Sequence, residues 1–273
     1  MTGDLHCHSR HSDGSCTVRE LISYASRIHL DYLAVTDHDT YQGVAEALAL
    51  GEEYHVGIIP GLECTTKDPD TGRPVHVLCY RPKRYEALDQ VTELTSGRRT
   101  QSKLQMLEKL KAFYPICTED VVAYAAESSA IFEPHIMQGI ANLGYTNAIY
   151  GPLMDELIGK KGTCYVPIEY PDIYDVIDIM HEAGGLVVIA HPGQFRSIPL
   201  VRQLAASHRI EGIECFHYRN TEEDTSELLQ IAKANDLIIT GGTDFHGMNS
   251  RQPYPLGSYT TDDENLRRIL DFS

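Results

Sequence analysis

The sequence predicts an α/β fold, a parallel barrel interrupted by an all-helical insertion. Three observations predict it. Short apolar strand signals alternate with amphipathic helix signals over residues 1–84 and 166–273, which implies βα units and a parallel sheet. Residues 85–165 read as helix almost throughout. His, Asp or Glu follows one apolar strand after another, which favours a closed barrel of about seven strands, whose strand ends share one rim, over an open sheet.

In chain order, Asp4–Cys7 reads as the first strand. Thr17-Val-Arg-Glu20 is a capping box, and Leu21, Ile22, Ala25 and Ile28 then repeat at helical spacing. Tyr32–Val35 is a buried strand, followed by a helix from about Gln42 to Leu50 that Gly51 should stop. Val56–Ile59 and Val75–Leu78 are two further strands. In the insertion, Leu104, Leu107 and Leu110 share one side of a helix that Pro115 ends. Thr118 caps the next helix, with Glu119 and Asp120 in its first turn, where carboxylates complement the dipole. Shorter helical pieces lie near 134–143 and 151–159. A helix from Pro171 to Glu182 ends at Gly184-Gly185. Strands at Leu186–Ala190, Gly212–Phe216 and Leu237–Thr240 follow, with helices near 198–207, 221–234 and 262–271.

The 273 residues are 42% hydrophobic and 23% charged, which suits a folded domain rather than a disordered chain. Thirty-nine acids against 23 bases give a formal net charge of −16, and there are 13 histidines. That charge argues against long nucleic acid and anionic membrane as partners. It would also repel a phosphorylated substrate unless something local reverses the field. No apolar run is long enough to span a bilayer. The histidine-rich segment begins almost at Met1, so no signal peptide is expected before it. Seven scattered cysteines without a CxxC pair read as reduced thiols, and the expected location is cytoplasmic.

The chemistry lies after the strands. The first delivers His6 and His8, with Asp13 in the following turn. The second delivers Asp37-His38-Asp39, and Val-Gly-Ile-Ile-Pro-Gly-Leu delivers Glu63. Two later strands deliver His191-Pro-Gly and Asp244-Phe-His246. His6 and His8 are two apart in a strand and share a face, and Asp244 and His246 repeat the spacing. Alone, each motif could be a surface histidine, a helix start or a turn. Together, after buried strands, they point to metal binding. Imidazole and carboxylate donors suit Mn²⁺, Fe²⁺ or Zn²⁺. Their number suits two or three ions with one bridging carboxylate, an arrangement that clamps a phosphoryl group.

The order D-L-H-x-H-S…S-D-G, L-A-V-T-D-H-D, G-x-E, H-V, A-H-P-G and D-x-H resembles the PHP (polymerase and histidinol phosphatase) superfamily from residue 4 to about 250. The insertion resembles the branch of nucleoside 3′,5′-bisphosphate phosphatases, 5′-3′ exoribonucleases on short RNA, and a cyclic phosphodiesterase. The resemblance implies a distorted (β/α)₇ barrel. It implies nine ligands: His6, His8, Asp13, His38, Glu63, His76, His191, Asp244 and His246. Glu63 would bridge two ions. His6, His8 and Asp244 would hold the first, His76 and His191 the second, and Asp13, His38 and His246 the third.

The expected reaction is phosphate ester hydrolysis by in-line attack of a hydroxide held between metals, with Mn²⁺ the expected ion. His217, just past a strand end, and His135, in the insertion, are candidate proton donors. Arg98 and Arg99 on the insertion helix, Arg196 after the His191 turn and Arg219 after His217-Tyr218 are candidate phosphate contacts. Tyr218 could stack on a base. Relatives resembling this segment tend to carry Arg two residues before the histidine equivalent to His135, where this chain has Glu133. That departure weakens a simple transfer of bisphosphate specificity. The main expectation is a phosphoesterase on a small nucleotide, bisphosphate or cyclic phosphate. The alternatives are a nuclease trimming short RNA and a catalytically silent metal-binding regulator. Three divalent ions would add +6 against −3 from Asp13, Glu63 and Asp244, so substrate binding should depend on metal loading.

Overall fold

The computed structural model describes residues 1–272. It shows a mixed α/β fold. The first part runs β1 (Gly3–Cys7), α1 (Val18–Arg27), β2 (Tyr32–Val35), α2 (Val44–Tyr54), β3 (Gly57–Ile58), β4 (Gly61–Lys67) and β5 (Pro74–Tyr80). Four helices follow: α3 (Asp89–Leu110), α4 (Thr118–Tyr124), α5 (Glu133–Asn142) and α6 (Pro152–Leu157). The last part runs α7 (Ile173–Glu182), β6 (Leu186–Ile189), α8 (Pro192–Phe195), α9 (Ile198–Ala206), β7 (Gly212–Phe216), α10 (Glu222–Ala234), β8 (Ile238–Gly241) and α11 (Asp263–Leu270).

Local chemistry explains many boundaries. Thr17 and Glu20 form the capping box of α1, and Thr221 and Asp224 form one on α10. Asp172 caps α7 by accepting the Tyr174 N–H at 2.9 Å. Helix α2 does not stop at Gly51 but runs to Tyr54 and ends on His55 in the left-handed region, φ 56°. Gly51 serves packing instead: a Cβ there would lie 2.5 Å from the Ile58 side chain and 2.7 Å from the Val56 carbonyl.

The sheet is not wholly parallel, and the strands form two sheets. One is parallel, in the order β1-β2-β3; the other has the order β4-β5-β6-β7-β8. Strand β5 runs antiparallel to both β4 and β6. The cause is the short turn 68–73, in which Asp68 accepts from the Asp70 N–H and the Thr71 hydroxyl and Gly72 takes φ +67°. So short a turn leaves no room for a crossover helix. Glu63, expected to follow a strand at 56–59, instead lies inside a strand of its own, β4.

The two sheets meet through isolated bridges. Glu63 pairs with His38, and Cys7 pairs with Phe245. The backbone carbonyl of Glu63 accepts the Asp39 N–H at 2.8 Å, and Phe245 accepts the His8 N–H at 2.9 Å. Both seams therefore run through the predicted ligand segments. Below the sheets, Leu62, Val77, Val176, Ile177, Val187 and Ile213 belong to one apolar cluster. The helical segment has its own cluster, including Met106, Leu110, Ile136, Met137 and Leu157. Among the described residues, no helix is long and apolar enough to cross a membrane.

Candidate metal centre

Glu63 is wholly buried, and five imidazoles surround its carboxylate. Its Oε2 lies 3.2 Å from His6 Nε2, 3.3 Å from His8 Nε2 and 3.0 Å from His38 Nδ1. Its Oε1 lies 2.9 Å from His76 Nδ1 and 3.0 Å from His191 Nε2. Asp244 Oδ1 stands 3.1 Å from His8 Nε2 and 3.5 Å from His246 Nδ1, and Asp13 Oδ1 is 3.2 Å from His246 Nε2. The structure thus brings all nine predicted ligands together. They fall into four overlapping sets: His8, Asp13, His38 and His246; His6, His8, Glu63 and Asp244; His38, Glu63 and His76; and His6 and His191 with Glu214.

The donors fit divalent metal ions. His6 Nε2, His8 Nε2, His38 Nδ1, Asp13 Oδ1 and Glu63 Oε2 are buried and without a hydrogen-bond partner. Buried polar atoms left unpaired are costly, on the order of 1–3 kcal/mol each. Several imidazole nitrogens and carboxylate oxygens facing one another is the donor chemistry of Mn²⁺, Fe²⁺ or Zn²⁺. Charge coupling is strong. Burial alone would push the Glu63 carboxyl up, yet His38, His6 and His76 hold it well below the usual carboxylate range. His246 and His6 do the same for Asp244 against its burial. Burial opposes protonation of His8, but the Asp244 and Glu63 carboxylates 3.1 and 3.3 Å from its Nε2 raise it to about 10.

The backbone is strained where these groups are presented. His191 has φ 28° and Asp244 has φ 52°. Non-glycine residues held there cost about 1–3 kcal/mol each and need support from the surroundings. Part of that support comes from a residue the sequence reading did not select. Glu214, buried in β7, has Oε1 2.9 Å from His6 Nδ1, and its Oε2 accepts the His191 N–H at 2.8 Å. The available signal was a charge inside the apolar strand Gly-Ile-Glu-Cys-Phe. Asp37 plays a similar part for the loop carrying Asp13. It accepts the Ser9 N–H at 2.7 Å and the Ser9 and Ser12 hydroxyls at 2.6 Å each.

His217 joins the cluster, with Nε2 3.6 Å from Asp244 Oδ2. Its Nδ1 accepts the Arg219 N–H at 3.0 Å, which leaves a neutral ring's proton on Nε2. His135 Nδ1 accepts the Phe132 N–H at 3.1 Å, and its ring lines a second cavity of about 460 Å³ with Arg10, Tyr124 and Gln138. The arginines do not converge. Arg99 is buried, 2.6 Å from Asp39 Oδ2 and 2.9 Å from Thr65 Oγ1. Arg98 is half-buried and donates to the Glu169 carbonyl at 2.9 Å. Arg196 and Arg219 are exposed, the latter over the Tyr218 ring at 4.8 Å. Tyr218 is itself packed against Tyr254, with ring centroids 4.8 Å apart.

The PHP domain family matches residues 4–162, more than half of the chain. The chain belongs to the PHP family. This PHP protein is a metal-dependent phosphoesterase, a hydrolase of phosphate ester bonds. A phosphoribosyl 1,2-cyclic phosphate 1,2-diphosphodiesterase of Eggerthella lenta is 34% identical over 256 residues, 93% of this chain and 97% of that one. A 5′-3′ exoribonuclease of Escherichia coli is 28% identical over 267 residues, 92% of this chain and 86% of its own. A solved structure described as a metal-dependent phosphoesterase from Bifidobacterium adolescentis has a TM-score of 0.90 and 32% identity, over 98% of this chain and 95% of that one.

Proposed function

We propose that this PHP protein hydrolyses the phosphate ester of a small metabolite, with a sugar cyclic phosphate as the leading candidate. The observation that carries this reading is a cavity of about 680 Å³ that reaches the cluster at His76 and Phe195. That volume suits one small molecule rather than a strand of nucleic acid. The likeness to the Eggerthella lenta enzyme supports the cyclic phosphate. Short RNA is the second reading, favoured by the likeness to the exoribonuclease.

The nine residues around Glu63 would hold two or three ions. The donor set of imidazoles and carboxylates supports Mn²⁺, Fe²⁺ or Zn²⁺, with Mn²⁺ the ion to test first. When bound, the ions supply positive charge against the negative charge that develops around phosphorus. The protein's own contribution is to exclude water around Glu63 and to aim the imidazoles. His217 would give its Nε2 proton to the departing alkoxide, a role supported by its contact with Asp244. In the same reading, residues 1–84 and 166–273 form a distorted barrel, supported by the bridges that join the sheets. Residues 85–165 form a lid, supported by their separate apolar cluster. Seven unpaired cysteines support a cytoplasmic location.

The test is phosphate release with Mn²⁺ across mononucleotides, 3′,5′-bisphosphates, sugar and nucleoside cyclic phosphates, and short 5′-phosphorylated RNA. Turnover should be highest on a cyclic phosphate. No turnover of any substrate at full metal occupancy would overturn the reading and leave a silent metal-binding protein.

A further inference from the structure

The wall of the larger cavity has an unusual charge arrangement. Lys103 and Glu133 both line it. The Lys103 side chain is only 1% exposed, and its Nζ lies 2.6 Å from Glu133 Oε1. The Glu133 side chain is 28% exposed. The carboxylate, and not the ammonium, is therefore the half of this pair that meets a ligand. Behind it, Arg99 is tied to Asp39 at 2.6 Å and does not line the cavity. Both cations that the insertion brings toward the cluster are thus already matched by a carboxylate. Burial pushes the Glu133 carboxyl up, but Lys103 and Arg99 bring it below its ordinary value, so it is ionised at neutral pH. Lys160, farther along the same wall, is exposed and has no carboxylate within 4 Å among the described residues.

We infer that Glu133 is a specificity-determining residue, which rejects a second negative charge beside the reacting phosphate and accepts hydroxyl groups there instead. The inference rests on the phosphoesterase reading. A phosphodiester brings one charge, and a phosphate monoester brings two at pH 8. A carboxylate facing the substrate opposes the second charge more than the first. Its free lone pairs suit the hydroxyls of a sugar. Any remote phosphate on the same substrate is directed to the Lys160 end of the cavity.

The experiment compares a dianion with a monoanion sharing one leaving group, 4-nitrophenyl phosphate and bis(4-nitrophenyl) phosphate, on the Mn²⁺-loaded protein at pH 8. Removing one charge from a partly solvated wall should change the ratio of kcat/KM values by about tenfold. Glu133→Gln should shift the ratio toward the monoester. Lys103→Met, which leaves the carboxylate without its partner, should shift it toward the diester. Opposite shifts are not produced by a general loss of fold. Equilibrium binding of methyl phosphate and dimethyl phosphate, by calorimetry on the same variants, repeats the comparison without turnover. No hydrolysis by the unaltered protein would overturn the phosphoesterase reading, while the binding ratio still decides the role of Glu133. Equal ratios in all three proteins, or shifts of the same sign in both variants, would overturn the inference.

Discussion

Glu214 holds His6 from behind: its Oε1 lies 2.9 Å from His6 Nδ1, while His6 Nε2 faces Glu63 at 3.2 Å. A carboxylate on Nδ1 keeps a proton there, so the proton that His6 gives up to a metal is the one on Nε2. The second oxygen of Glu214 takes the His191 N–H, so one side chain orients two candidate ligands. Glu214→Gln keeps the size but turns an amide N–H₂ toward one of these donors. Mn²⁺ affinity, measured by titration, should fall about 10- to 100-fold. An unchanged affinity would show that Glu214 is only a buried structural acid.

Metal uptake should release protons. In the metal-free protein, burial works against the His8 charge but the adjacent Asp244 and Glu63 carboxylates raise it to about 10, and His6 is also raised, against its burial, by Glu214 and Glu63. At pH 7 these rings carry protons that a metal must displace, so affinity should rise with pH. Stability of the metal-free fold should run the other way. A raised imidazole contributes fully below its ordinary value near 6.5 and loses that contribution as pH rises through about 10. Calorimetric titration in buffers of different ionisation enthalpy checks the first point, and melting of chelated protein from pH 6 to 10 checks the second. Uptake without proton release would contradict both.

Bound metal should also stabilise the fold, because the donors lie far apart in the chain, from His6 to His246. At free metal near 100 times its dissociation constant the gain is about 2.7 kcal/mol for one site. The melting temperature should then rise by roughly 5–10 °C over chelated protein. Identical melting curves with and without Mn²⁺ would mean that the cluster does not take the ion.

Arg99→Ala probes the support of the site rather than its chemistry. Arg99 is 2.6 Å from Asp39, and both side chains are buried. Asp39 itself has φ 53° and accepts the Thr65 N–H at 3.0 Å. Breaking a buried pair from one side costs about 3–5 kcal/mol. Chemical denaturation of the variant should show a loss of that order. A loss under about 1 kcal/mol would place the pair with weak surface bridges.

Eight of the nine candidate ligands stand out in the sequence by their place just after an apolar strand or in the turn beyond it, and their grouping in space follows from that placement. The capping box of α1 and the helical spacing of Leu21, Ile22 and Ala25 are likewise local properties, set within a few residues. His76 had no such signal, since it sits near the start of β5, and only the family resemblance marked it. Other features depend on partners remote in the chain. The contacts Arg99–Asp39, Lys103–Glu133 and His6–Glu214 join residues 30 to 208 positions apart, and β5, although reversed by a short turn, also pairs with the distant β6. Residue type and spacing decided which groups could bind metal. Only the tertiary structure decided which cations stay free for a substrate, because a charge is neutralised by whatever folding brings within a few ångströms of it, and sequence distance does not record that.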